Sequence, residues 1–390
     1  VFENIHRLKL KVLVSKVKWN NSDITPRLNM LLDMNYGLNL KKFNNKNYLP
    51  EAWFWLVKST EVKTKKPIPV QFWGQELVVY RGEDGTVNAF EAHCPHMGAH
   101  LCDGQVEGNS IRCPFHYWKF SANGTCENIP CQTDTKNVPT LKRFKVTEAY
   151  GLIWLWTGDF SDIETVPVIP ELKNVKIDWS HGNQFTKNCH PNVVMINAID
   201  AQHFNSVHQL IVDLNMQPKE LSERAIQFTN TTPMPQKNFF LKWASRFYQK
   251  ALTYEMTYWY GNTGSVMIGP DFLHFYIIFA LRPTKDGLTE GQTILVTKNR
   301  SGILGLLTNR VLLFATKVVG NFFAKGDTLI FSRIRFNYRT PVKADRAIIQ
   351  FIEHYEKQKE ATEWILPPVS QVKSSQKGVQ NLHPEEILAH

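Results

Sequence analysis

Cysteine is scarce in this chain, at six in 390 residues. That is too few for a disulfide framework, and it points to a reducing compartment. No unbroken run of eighteen apolar residues occurs, so a membrane span is not expected. The nearest approach, residues 302–323 (GILGLLTNRVLLFATKVVGNFF), is interrupted by Asn309, Arg310, Lys317 and Asn321. Its helical spacing reads first as a core helix or a subunit face; an apolar surface touching lipid, or admitting a greasy substrate, is the sharper alternative. Acidic residues are in deficit: 35 Asp and Glu against 45 Lys and Arg leave a formal charge of +10. A basic balance suits acidic partners. With no helix-turn-helix, finger spacing or RNA-binding signature beside it, nucleic acid is not among those expected. A nucleotide-binding glycine motif, a second cysteine-rich cluster and internal repeats are missing too. Residues 1–19 scatter Lys and Arg through their apolar positions, so no signal peptide is expected. The first residue is Val1, which leaves a longer natural N-terminus open.

What is present is ample for a core: 43% hydrophobic and 12% aromatic residues. The length suggests two domains. Residues 1–46 read as an N-terminal extension ending in KKFNNKN, and residues 47–160 as an all-β domain of short strands. Glu83-Asp84-Gly85 marks one hairpin there, and residues 144–159 a closing strand pair. Residues 161–366 mix strand patterns with helical ones at 192–210, 302–323 and 344–364. Residues 367–390 read as a loose polar tail. The expected class is α+β.

Two short pairs stand out in the β-rich part, Cys94-x-His96 and Cys113-x-x-His116, with sixteen residues between them. Zinc fingers usually put both cysteines in one pair and both histidines in the other. Here each pair holds one of each, which suits a two-iron cluster with two thiolates on one iron and two imidazoles on the other, the Rieske type. Pro95 and Pro114 stiffen the loops, and Gly98 and Gly104 allow tight turns. Cys126, Cys131 and Cys189 read as small buried hydrophobes, Cys102 as unpaired, and His93 and His100 as packing or surface residues.

A cluster of this kind carries one electron at a time and needs little more than a hundred residues. Downstream, NAIDAQHFNSVH (197–208) places Asp200, His203 and His208 at i, i+3 and i+8, nearly one face of a single helix with a slight bend or loosened turn near Phe204. Two imidazoles and a carboxylate leave three positions open on iron(II), where O2 binds beside a substrate. Asp200 suits the carboxylate role by chemistry alone. Its place one turn before His203 better suits a carboxylate that accepts the other ring N–H of a ligand.

Together these motifs, with Asn197-x-x-Asp200-x-x-His203-x-x-x-x-His208 as the second, resemble the oxygenase (α) component of Rieske non-haem iron oxygenases over roughly residues 47–365. The resemblance implies a Rieske domain and a helix-grip, START-like catalytic domain with an antiparallel sheet. It implies a [2Fe-2S] cluster on Cys94, His96, Cys113 and His116, and a mononuclear Fe(II) on His203, His208 and a later Asp. Asn197 and Asp200 fall among its catalytic residues. Asp200 would link the Rieske site of one subunit to the iron of its neighbour in a homotrimer. O2 is the implied cosubstrate, with electrons from NAD(P)H arriving through a ferredoxin or ferredoxin reductase. CPHMGAHL, CPFHYWKF and NGTCENIP are most similar to the 3-ketosteroid 9-hydroxylase and cholesterol 7-desaturase branch. Arene dihydroxylases commonly have Arg where Met97 stands and Gly where Tyr117 stands. Monooxygenation or desaturation of a largely apolar molecule (sterol, steroid or terpenoid-like) is therefore implied, in a cytoplasmic protein with a peripheral membrane contact left open.

For the third iron ligand the candidates are Asp213, Asp271, Asp286, Asp327 and Asp345. Asp213 follows His208 too closely. Asp286 in a Lys-Asp-Gly turn and Asp345 at a charged helix start read as solvated. Asp271 follows Gly-Pro in a strand-rich stretch and is the rival. Asp327, placed after the apolar helix and Gly326, sits among apolar neighbours where an unpaired carboxylate would be costly, and it matches the family's carboxylate. The alternative reading is an electron-transfer or redox-sensing protein whose second site is inactive. A zinc-binding interaction module is a third.

Overall fold

The computed structural model describes residues 40–162, 165–208, 215–233, 251–270 and 273–364. Asp213 and Asp271, residues 1–39 of the expected extension and the whole expected tail lie outside the described residues. The first half is built from β1 (Trp53–Lys58), β2 (Ile68–Phe72), β3 (Gln75–Arg81), β4 (Val87–Glu91), β5 (Gln105–Glu107), β6 (Ser110–Arg112), β7 (Lys119–Phe120), β8 (Cys126–Asn128), β9 (Arg143–Ala149) and β10 (Leu152–Trp156). Six form an antiparallel sheet in the order β1-β10-β9-β4-β3-β2, and β5 to β8 form a four-stranded sheet between β4 and β9 in the chain. Two-residue turns with positive φ, Trp73-Gly74 and Tyr150-Gly151, close β2–β3 and β9–β10. That geometry matches the twist of a hairpin. The Glu83-Asp84-Gly85 hairpin is present between β3 and β4, with Gly85 at φ 83°.

The second half has β11 (Ile177–Lys187), α1 (Pro191–Ile196), α2 (Ala201–Ser206), β12 (Gln217–Ser222), β13 (Ala225–Pro233), β14 (Ala251–Trp259), β15 (Thr263–Pro270), β16 (Phe275–Pro283), β17 (Thr289–Lys298), α3 (Gly302–Arg333) and α4 (Arg346–Glu356). Its seven strands pair antiparallel in the order β11-β17-β16-β15-β14-β13-β12. The sheet wraps α1, α3 and α4, the expected helix-grip arrangement. Every residue of β10 is buried. Around it one core joins the halves, with Trp53, Trp154 and Trp156 packed among Tyr260, Met267 and Ile278. Arg282 on β16 locks this junction, donating to the carbonyls of Trp55 (3.2 Å) and Leu56 (2.9 Å). Phe43, at the end of the expected extension, is buried in the second-half core beside Phe351 and Tyr355.

Three helical expectations change. The helix expected over 192–210 is broken within its described part: α1 gives way to a 3-10 turn (Asn197–Ile199), and Asp200, at φ −86° and ψ 103°, starts α2 as its N-cap. The carboxylate accepts from the backbone N–H of Gln202 and His203, which rewards the break. The apolar helix does not end before Asp327, because α3 runs 32 residues through Gly326 to Arg333. Nor is α3 a core helix all round, since its outer face is exposed.

Candidate metal centres

The first Cys/His pair lies in the loop after β4 and the second in the loop between β6 and β7. Cys94 and Cys113 are buried in a small core with Val78, Tyr80, Leu101 and Phe120. His96 is exposed and His116 half-buried, their ring centroids 4.8 Å apart, and Trp118 stacks on His96 at 4.2 Å. Backbone bonds hold each loop: Gly98 N–H to the Cys94 carbonyl (2.9 Å) and Cys113 N–H to the Trp118 carbonyl (2.8 Å). Gly98 turns at φ 76°. Gly104 is needed for a different reason, because a Cβ there would lie 2.2 Å from the Arg112 carbonyl oxygen. Burial pushes the Cys94 thiol up to about 11, and the neighbouring Cys113 adds to it. Two thiols held together in an apolar core are costly to ionise without a cation, so the set of two inner sulfurs and two outer imidazoles fits a two-iron cluster.

The second constellation joins α2 to α3. His203 Nε2 lies 2.9 Å and His208 Nε2 3.3 Å from Asp327 Oδ1, and the two nitrogens are 3.1 Å apart. An octahedral metal about 2.1 Å from each donor places neighbouring donors about 3.0 Å apart. Asp327 Oδ1 is buried without a hydrogen-bond donor, an orphaned oxygen that a metal would satisfy. Burial holds the His208 imidazole below its ordinary range, against the pull of Asp327. A neutral ring is the form that binds metal. Asn197 reaches the same point, its amide nitrogen 3.4 Å from His203 Nε2. Asp200 does not meet the His203 ring as its place in the sequence suggested; its Oδ1 is taken up by the two backbone N–H groups of the cap.

Of the rival carboxylates, Asp286 is exposed in the β16–β17 turn as expected. Asp345 is not solvated: it is buried, accepting from Val342 N–H (2.9 Å) and from the Gln202 amide (2.9 Å). Cys131, expected buried, is exposed. His93 and His100 face Glu76 at 3.5 and 4.0 Å. The Cys102 N–H donates to His100 Nδ1, which puts the proton of the neutral ring on Nε2, toward the carboxylate. This cluster is therefore a polar bracket at the base of the first loop and not a third metal set.

The three donors open on a cavity of about 390 Å³, within the range of small-molecule sites. Its walls are mostly apolar, including Met195, Phe204, Val266, Ile277, Leu295 and Phe323. Sequence reasoning found the donors but not these walls, because they come from α1, α2, five strands and α3.

Residues 52–142 match the family described as the Rieske [2Fe-2S] domain. This stretch of the first half thus resembles a Rieske domain. Around it, the chain is 36% identical over 171 residues to the Bombyx mori protein named cholesterol 7-desaturase nvd, covering 42% of this chain and 37% of that one. It is 27% identical over 175 residues to a Rhodococcus rhodochrous protein named 3-ketosteroid-9-alpha-monooxygenase, oxygenase component, covering 44% and 46%. The matched regions thus span less than half the length of these relatives. Over both halves, the fold resembles that of a solved monooxygenase. It superposes on dicamba monooxygenase bound to dicamba with a TM-score of 0.55 at 19% identity, covering 79% of this chain and 96% of that one.

Proposed function

We propose that this chain is a Rieske oxygenase that hydroxylates or desaturates a largely apolar substrate at a mononuclear iron. The observation that carries the proposal is the convergence of His203, His208 and Asp327 on an apolar cavity in a chain that also carries a Rieske domain. Cys94, His96, Cys113 and His116 would hold the cluster. An iron on the triad would supply O2 activation, with electrons relayed singly from the cluster. The chain's own part is positional. Asp200 caps α2 and so sets His203, Asn197 borders the metal position, and the cavity walls keep water from the reacting atoms.

The relatives' names support a sterol- or steroid-like substrate, and the cavity chemistry agrees. Its lining is mostly apolar, with Met195, Phe204, Val266, Ile277, Leu295 and Phe323 among its walls, so a largely apolar molecule is favoured. Ferredoxin or a ferredoxin reductase, drawing on NAD(P)H, would be the donor, and the excess of basic groups would speed docking of an acidic partner. A homotrimer would bring a neighbour's cluster to the surface formed by Asp200, Gln202 and Asn205. The carrier alternative draws no support from a second site with intact donor geometry.

Iron counting tests the reading. The loaded protein should hold about three irons per chain. Asp327→Ala should hold about two, with the Rieske absorption intact and product formation abolished. Two irons in the parent protein would leave an electron carrier.

A further inference from the structure

Among the described residues one helix, α3 over Gly302–Ala324, is long and apolar enough to cross a membrane by length and composition. It does not stand free. Its inner face packs on β11, β16 and β17, with Asn309 buried and donating to Asp178 (2.6 Å) and Phe331 buried toward the cavity. Its outer face carries Ile303, Leu307, Val311, Phe314, Val318 and Phe322, all more than half exposed. These recur every three or four residues and form one stripe over an arc of about 100°. Arg310 and Lys317, both exposed, fall along one edge of the stripe, and exposed Arg333, Arg335 and Arg339 follow at its end. The sole carboxylate between residues 302 and 339 is Asp327, turned inward to the histidines.

The cavity reaches solvent beside this stripe. Its exposed lining residues Asn183, Gln184, Lys317, Asn321 and Thr328 gather where α3 crosses β11. Two contacts close the seam: Asn183 Nδ2 donates to Asn321 Oδ1 (2.7 Å), and Lys187 Nζ to Thr328 Oγ1 (2.9 Å).

We propose that the outer face of α3 lies in an anionic lipid surface, with the α3–β11 seam at the water–lipid boundary as the entrance to the cavity. A helix packed on one face cannot be surrounded by lipid, so it lies flat with its stripe in the acyl region and its cations among the headgroups. A second copy fits less well. Two stripes pressed together antiparallel would set rows of Arg310 and Lys317 against each other, with no carboxylate on the helix's outer face to pair them. This goes beyond the oxygenase reading and stands whether or not that reading holds.

The test is flotation of the metal-loaded protein with phosphatidylcholine vesicles, with and without about 30% phosphatidylserine. The protein should float with the anionic vesicles and much less with the neutral ones. The double variant Leu307→Glu/Phe314→Glu should lose at least tenfold in binding, with its Rieske absorption and iron content kept; neither residue lines the cavity. A protein that stays with neither vesicle, or a double variant that floats equally well, overturns the proposal. So does a double variant whose only change is a smaller oligomer, which assigns the stripe to a second copy.

Discussion

Gly326 is where α3 comes close to the turn that carries His208. A Cβ at this position would lie 2.8 Å from Val207 Cγ1, 3.5 Å from His208 Cε1 and 3.6 Å from His208 Nδ1. Carbon atoms sit comfortably at about 3.5–4.0 Å, and a β-branched valine has little rotamer freedom with which to yield. Gly326→Ala must therefore push helix and turn apart by roughly 0.7 Å or more. Asp327 is the next residue and moves with the helix. Its Oδ1 lies 2.9 and 3.3 Å from the two histidine nitrogens, while metal sites tolerate only about 0.2 Å in ligand distances. Iron affinity should fall by about 10- to 100-fold, the range seen when a ligand's support is lost. The fold should survive. Overpacking costs about 1–3 kcal/mol, and Ala in place of Gly in a helix interior returns about 1 kcal/mol. The assay is iron per chain after dialysis against a weak chelator, alongside the Rieske absorption and product formation. Gly320→Ala on the same helix is the control. Its Cβ would meet only Ile277 Cδ1, at 3.1 Å, the flexible end of a side chain. That variant should keep its iron and raise KM by narrowing the cavity. Full iron occupancy and unchanged turnover in Gly326→Ala would refute the claim that this contact positions Asp327.

Replacing His96 or His116 by Cys should retain a two-iron cluster but lower its potential by on the order of 100 mV or more, because thiolate donates more charge than imidazole; voltammetry showing no shift would remove them as ligands. Asp200→Asn should keep α2, since Asn caps as well as Asp, and leave both metal sites loaded, while turnover falls because the proposed trimer loses the carboxylate that faces the neighbour's cluster. Loss of the mononuclear iron alone would make Asp200 a direct ligand instead. His190 is buried at the N-cap of α1, and burial lowers its pKa from 6.5 to about 4. The folded state then binds fewer protons than the unfolded one between those values. About 3 kcal/mol of stability is fully present above pH 6.5 and lost as pH falls toward 4. Denaturant titrations should show that slope in the parent protein and not in His190→Asn, which keeps the cap; parallel slopes would exclude the histidine.

Much of both candidate centres was legible because Cys is scarce in the chain and the Cys and His donors lie within a few residues of one another in each motif. Asp327 was legible through its cost, a carboxylate set among apolar residues. The break at Asp200 had a local signal too, since Asp before Ala-Gln-His is a good N-cap. The i, i+3, i+8 pattern suggested a continuous helix instead, and the cap won because it satisfies two backbone donors. Asp345 could not be read from its neighbours, because its partner Gln202 lies 143 residues away. The exposure of α3 was hidden for another reason. A helix that is apolar nearly all round does not disclose which face finds a partner. The placement of Asn309 against Asp178 on β11, with buried Thr316 and Phe331, identifies the inner side.

The same helix therefore has to hold a metal donor still while its edge borders the cavity mouth. At the Asn183–Asn321 contact these tasks are separated along its length, whereas the Lys187–Thr328 contact lies beside Asp327. Asn321, in the latch, lies six residues before Asp327, about 9 Å along the axis. Between and beyond them, Phe323 packs on His208 and Phe204, Gly326 abuts Val207, and Phe331 is buried. These contacts hold the C-terminal part of α3 against the histidines. The Asn183–Asn321 bond is exposed and costs little to break, because water replaces it. Opening at that end would admit a substrate along the seam without drawing Asp327 away from His203 and His208. In the proposed oxygenase, a stiff helix anchored beside His203 and His208 and lightly closed at Asn321 would reconcile entry of an apolar substrate with donor distances that must stay within a few tenths of an ångström.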